Sequence, residues 1–284
     1  MRNLTCKYMI ASVAMAALSL LPLLTVSCSE DEEPLAPQLV VEGQIESGSF
    51  ATVLFTWSLT PDENSEIGDK IIPWGKITIS DGTREEILRG GKASGWLPPY
   101  RYYGNEIRGE SGKEYHIRAE YKGHVATSTV RMPERTPIDS ITVTPIEGVD
   151  SLRSVVMHFT APSDCPAYYY LGIREMGSKE QPLPCFMGIV STDSPGSHIR
   201  VGVFNAKKYN EKHFVSNLRR GHDYEISLNR ITERVFRFRQ TYNEMLVFSH
   251  NPFLSTAQTL PTNIDGGLGI WSAQGTARYE LRLR

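Results

Sequence analysis

The sequence is poor in the features that announce a reaction. It has no Gly-x-Ser-x-Gly elbow and no Ser-x-x-Lys pair, so the familiar serine-nucleophile signatures are missing, although a triad assembled in space leaves no such trace. Its 7 His are scattered, without the one-turn spacing around a Glu that a zinc protease uses. His116 and His124 fall on expected neighbouring strands with no third ligand in view, and read as exposed strand residues. Gly90-Gly91-Lys92-Ala93 lacks the hydroxyl of a phosphate loop, and Gly266-Gly267-Leu268-Gly269 lacks the later Gly of a dinucleotide turn. Both read as turn glycines. Asp62, Glu63, Asn64, Glu66 and Asp69 lack the alternation and closing Glu of an EF-hand, and read as a solvated loop. No cofactor is expected. Charge of one sign is also missing: 30 bases stand against 32 acids, a net of −2, which excludes the strongly basic surface of a nucleic-acid binder.

Cysteine is scarce, with 4 in 284 residues. Cys6 lies in a leader. Met1–Lys7 carries Arg2 and Lys7 and no acid, and Tyr8–Val26 is almost wholly apolar or small. A basic head, an apolar stretch and small residues before a cut describe an export signal, here 1–27. Ser27-Cys28 is similar to the end of a bacterial lipobox, with Thr25 where an aliphatic residue is usual. Cys28 is the expected lipidation site, and several acyl chains hold a protein to a membrane almost permanently. The competing reading is an uncleaved membrane span, but a span gives no reason for a Cys followed by acids. Glu30-Asp31-Glu32-Glu33, then Pro34, make 28–36 an acidic tether that does not pack. Cys165 and Cys185 remain, in an oxidising compartment where a disulfide persists. A simple hairpin of 167–175 with 184–190 would keep them from facing each other, so bridge and free thiols stay open.

From Pro37 the pattern has period two. Val53, Phe55 and Trp57 alternate with Thr52, Thr56 and Ser58; Tyr115, Ile117, Ala119 and Tyr121 alternate with charged residues. Asp81-Gly82 and Lys122-Gly123 are tight hairpin signals. Met132–Pro137 reads as a linker, because two prolines with charge between them break sheet and helix. Val155, Met157 and Phe159, then Tyr169, Leu171 and Ile173, then Tyr224, Ile226 and Leu228 continue the alternation, and the chain closes on Tyr279, Leu281 and Leu283. The spacing predicts an all-β chain of two immunoglobulin- or fibronectin-like β-sandwich domains, 37–135 and 136–284. One helix is expected in the second domain near 231–246, from Ile231, Val235, Phe238, Tyr242 and Met245, with Asn229 as its cap and Arg230, Arg234 and Arg237 as a solvated stripe.

Gly95–Gly104 is the candidate contact loop. Trp96, Tyr100, Tyr102 and Tyr103, flanked by prolines, would make a rigid aromatic platform on which glycan or peptide stacks. The competing reading buries most of these rings at the end of the sandwich.

Leu39-Val40-Val41-Glu42-Gly43, Thr78–Gly82, Trp96–Tyr100, Gly109–Tyr115 and Asn263–Gly269 occur in this order. Together they resemble a family of envelope lipoproteins known as domain of unknown function forty-two forty-nine. The resemblance implies an outer-membrane lipoprotein of a kind often encoded beside TonB-dependent receptors, and implies no catalytic residues; the acids directly after Cys28 look like a surface-export signal, so the cell surface is expected, with the periplasmic face as the alternative. The expected function is therefore a lipid-anchored binding or accessory protein, with the membrane and such a receptor as partners. A hydrolase acting on glycan or peptide and a structural or adhesive lipoprotein are the alternatives.

Overall fold

The structure, a computed structural model, describes residues 36–59, 67–93, 98–178, 181–192, 194–206, 215–248 and 259–284. Its folded unit runs from Pro37 to Arg284. The first strands are β1 (Leu39–Glu46), β2 (Phe50–Trp57), β3 (Lys76–Ser80), β4 (Glu85–Ile87), β5 (Arg89–Lys92), β6 (Tyr100–Arg108), β7 (Glu114–Tyr121) and β8 (His124–Arg131). After the linker come β9 (Ser140–Ile146), β10 (Val149–Thr160), β11 (Ala167–Glu175), β12 (Leu183–Thr192), β13 (His198–Gly202), β14 (Leu218–Arg219) and β15 (Asp223–Ile231). The helix α1 (Glu233–Phe248) and the long strand β16 (Leu268–Arg282) complete the order. The chain is all-β and sandwich-like.

Eight strands lie side by side in the order β12-β11-β15-β16-β1-β2-β6-β5. One part of this long sheet is faced by a four-stranded sheet, β4-β3-β7-β8. Phe55, Ile77, Ile79, Tyr115, Ile117 and Trp271 are buried between the two. The other part is faced by β10 with β9 on one edge and β13 and β14 on the other. Met157, Phe159, Tyr169, Leu171, Ile226 and Leu228 fill that second core. These are the residues whose alternation predicted strands, because side chains at i and i+2 reach the same face.

The closing strand departs from a division of the chain at 135/136. Val40–Glu46 of β1 pairs in parallel with Leu268–Gln274, while Asp223–Arg230 of β15 pairs antiparallel with Gly275–Arg282. The first half of β16 therefore completes the first sandwich and sends Trp271 and Ala273 into its core. The second half completes the second sandwich, where Leu281 and Leu283 are buried. Gly269 makes the parallel approach feasible: its φ is +111, and a Cβ there would lie 2.1 Å from the Val41 carbonyl oxygen.

The helix lies on the outer face of the long sheet, where Val235, Phe236 and Phe238 pack on Tyr168, Tyr170, Ile231 and Ile270. The expected cap is corrected. Asn229 lies in β15, buried, with its amide donating to the Tyr170 carbonyl at 3.2 Å. The first helical turn closes instead on Thr232, whose carbonyl accepts the Phe236 N–H at 3.0 Å. Sheet pairing carries β15 on to Ile231, past the expected cap.

Cys165 and Cys185 are free thiols. Register is the reason. Ala167 stands opposite Thr192 and Gly172 opposite Pro184, so the two sulfurs sit at opposite ends of the β11–β12 pair. That is about 20 Å at the strand rise, far beyond the ~7 Å Cα limit of a bridge. Burial pushes the Cys185 thiol up to about 12. Cys165 is half-buried, and its sulfur accepts from Arg230 at 3.3 Å. Brief alkylation of the native protein at neutral pH should therefore label Cys165 and spare Cys185, with Cys185 reacting only after denaturation. Equal native labelling by mass spectrometry would contradict this packing.

Asp81 fixes the β3–β4 turn. Its carboxylate accepts from the Thr83 hydroxyl at 2.7 Å and the Arg84 N–H at 2.8 Å, and pairs with the Arg84 guanidinium at 3.0 Å. Burial alone would raise its pKa, but the Thr83 and Arg84 donors outweigh burial and hold it well below the usual carboxylate range. Asp81→Asn should cost about 2 kcal/mol at neutral pH. A depressed folded pKa gives stability that is full above the ordinary value near ~3.9 and lost as pH falls below it. The difference between wild type and variant should close under acid. A gap in urea midpoints that stays constant from pH 7 to acid would refute the assignment.

Candidate functional site

Two clefts stand out. The larger, about 630 Å³, opens where the two sandwiches meet. Ser47, Gly109 and Ser111 bound it on one side, Arg135 and Ile138 of the linker on another, and Arg278 and Tyr279 of β16 on the third. Close backbone approach builds it. A Cβ on Gly109 would lie 2.2 Å from the Glu46 carbonyl oxygen, and one on Gly275 2.5 Å from that of Pro133. The Ser47 hydroxyl accepts the Thr276 N–H at 3.0 Å, and the Tyr115 hydroxyl accepts that of Glu110 at 2.6 Å.

The charges around this cleft are unequal. Arg278 is committed to Glu46, with Glu225 at 3.9 Å. Burial raises the Glu46 carboxyl above its usual range, and the Arg278 charge only partly offsets that. Lys113 neutralises Glu110 at 2.9 Å. Arg135 is exposed and has no ion-pair partner among the described residues, so its guanidinium is available to an anionic group. Tyr279 shares a face with Leu281 and Leu283, as the alternation predicted, but its ring stays exposed beside the cleft.

The smaller cleft, about 380 Å³, lies at the opposite end of the first sandwich. Trp74, Lys76, Glu120, Tyr121, Lys122 and His124 line it. Trp74 is 87% exposed, an unusual state for an indole. Trp57 meets the edges of Tyr121 and His124 at ring distances of 6.1 and 5.2 Å. Lys122 and Gly123 both have positive φ, 48 and 85, which builds the tight β7–β8 hairpin expected from the sequence.

The three described tyrosines of the aromatic loop do not form one exposed platform. Trp96 lies outside the described residues. Tyr102 is buried, its hydroxyl donating to the Ile72 carbonyl at 2.6 Å, and burial pushes that phenol up to about 12. Tyr100 is half-buried and donates to the Pro73 carbonyl at 2.8 Å. Tyr103 points to the other face, since side chains alternate along β6. The tyrosines thus brace the turn that presents Trp74, a residue that sequence reading passed over. Its one sequence signal is Pro73-Trp74-Gly75, an aromatic between two turn residues.

A third polar region lies beneath α1. Tyr170 donates to Gln274 at 2.6 Å, Thr276 donates to Asn229 at 2.9 Å, and Arg239 stacks on the Tyr170 ring at 3.8 Å. The Arg239 Nε is nonetheless buried without a hydrogen-bond partner among the described residues, so the ring stacking, not a closed network, holds that guanidinium.

The two histidines are apart. His116 meets Thr129 at 2.7 Å, whereas His124 belongs to the Trp74 cleft. Among the described residues, no group of three or more His, Cys, Asp or Glu is placed to hold a metal ion. Asp62–Glu66 lies outside the described residues. Gly90 and Gly91 lie in edge strand β5, and Gly266, with φ +77, turns the chain into β16.

A family model described as "Domain of unknown function (DUF4249)" matches residues 26–280. No curated protein matches the chain. Among solved structures it is similar to the two fibronectin type-III domain segment from chicken tenascin, at 13% identity and a TM-score of 0.20, over 68% of this chain and 90% of that one.

Proposed function

Since the chain belongs to the family described as a domain of unknown function, DUF4249, we propose that it is a lipid-anchored outer-membrane protein that binds a ligand and works with a TonB-dependent receptor in nutrient uptake. Cys28 carries the lipid, and the acidic 28–36 segment tethers a folded body that starts at Pro37. The observation that carries the binding role is the junction cleft. It offers an unneutralised guanidinium at Arg135, an exposed ring at Tyr279 and the Ser111 hydroxyl, in a wall that is as polar as it is apolar, which suits a small anionic or polar ligand. Junctions between domains are a preferred place for such sites.

The test is isolation of the full-length chain from detergent-solubilised envelopes. Wild type is expected to bring down a TonB-dependent receptor, and Cys28→Ser to bring down far less. Wild-type preparations free of any such receptor would overturn the reading.

A further inference from the structure

We propose that the Trp74 end of the first sandwich rests on a layer of anionic lipid headgroups; the inference builds on the lipid-anchor reading above. The chain enters the body at this end. Leu39 pairs with Trp57, and the Ser58 N–H donates to the Gln38 carbonyl at 2.8 Å. Trp57 in turn touches Tyr121 and His124 of the cleft. Residues 28 to 36 are 9 in number, so a lipidated Cys28 lies within about 30 Å of this end even when the tether is fully extended. The junction cleft lies at the other end of the same sandwich and stays open to ligand.

The side chains suit that position. Trp74 is 87% exposed and Leu59 53% exposed. Indole rings and aliphatic side chains insert at the headgroup level, and bases beside them meet anionic lipid. Lys76, Arg118 and Lys122 supply the bases. The one acid among them, Glu120, is already shared between Arg118 at 3.1 Å and Lys76 at 3.8 Å. A protein partner would ask for a wider apolar patch than one indole ringed by charge. Lys122 adds an independent sign. It occupies a positive-φ turn position where Asn or Gly fits at less strain, so its ammonium is kept at a conformational cost. The acids at 30–33 are repelled by an anionic surface, and the basic rim supplies opposite charge where the tether ends.

The experiment uses the mature chain with Cys28→Ser, without lipid, and vesicles of phosphatidylcholine alone or mixed with phosphatidylglycerol. Binding to the mixed vesicles, a blue shift of tryptophan emission and loss of both at high salt are expected. Trp74→Ala and Lys122→Asn should each weaken binding about three- to tenfold, and the second should raise the melting temperature, which separates binding from folding. Three results would overturn the inference: no binding by wild type, equal binding by both variants, or glycan-array binding through Trp74 without vesicle binding. A fourth is shielding of Trp74 from a soluble quencher that is lost when Glu30, Asp31, Glu32 and Glu33 are all made amides, again without vesicle binding; that would assign the rim to the tether. The anchor reading fails separately, through an unmodified Cys28 in the mass of the native N-terminus.

Discussion

Replacing Trp271 with alanine is expected to cost about 3–5 kcal/mol of unfolding free energy. The side chain is fully buried in the first core, and its indole N–H donates to the Tyr115 carbonyl at 3.0 Å. Gly43 is shaped around it, since a Cβ there would lie 2.8 Å from the ring. The substitution empties the largest fully buried side chain among the described residues and removes the indole hydrogen bond to the Tyr115 carbonyl. Trp271→Phe should lose less, about 1–3 kcal/mol, because the ring volume is partly kept while the donor is gone. Urea denaturation measures both. Because β16 serves two sandwiches, the alanine variant should also lower hydrogen-exchange protection in β15, outside the core it damages. A loss under about 1 kcal/mol, far below the cost of such a cavity, would mean that this core is not packed as described.

The second large effect is expected at Glu86. Phe50 pairs with Arg108 and Thr52 with Tyr103, so β6 carries extra residues in a bulge. The bulge turns the N–H groups of Asn105, Glu106 and Ile107 away from the ladder. The Glu86 carboxylate, reaching across from the opposite sheet, accepts all three, at 3.1 Å from Glu106 and 2.8 Å from Ile107. Glu86→Ala removes the acceptor and leaves amides of which that of Ile107 is buried, at about 1–3 kcal/mol for each one stranded. A loss of about 3 kcal/mol or more is expected. Glu86→Gln should fall between, because one oxygen still accepts while the new amide group faces an N–H. A glutamine variant less stable than the alanine variant would contradict this account.

Strands were legible where a single strand alternates on its own. Val53, Phe55 and Trp57, or Tyr224, Ile226 and Leu228, state their face without reference to a neighbour. The split role of β16 was not legible. Its first half reads Gly-Ile-Trp-Ser-Ala-Gln, in which small and polar residues sit on the covered outer face, and its parallel partner lies more than two hundred residues away. Pairing over such distances leaves no local signature. Trp74 was missed for a related reason. Exposure of a ring depends on what fails to cover it, and a sequence records only the ring. Glu86 was silent too, since a carboxylate in a short strand looks like an ordinary solvated residue until the bulge it serves is known.

The route of the last strand bears on how the molecule is made. Synthesis proceeds from the N-terminus, so β1 and β15 emerge before the strand that will lie between them. Until residues 268–282 arrive, both half-built sheets expose bare backbone on the edges that face each other. A nascent chain cut short before that point therefore has no finished half to shelter in. Proteases can tell it from the complete molecule by those open edges alone.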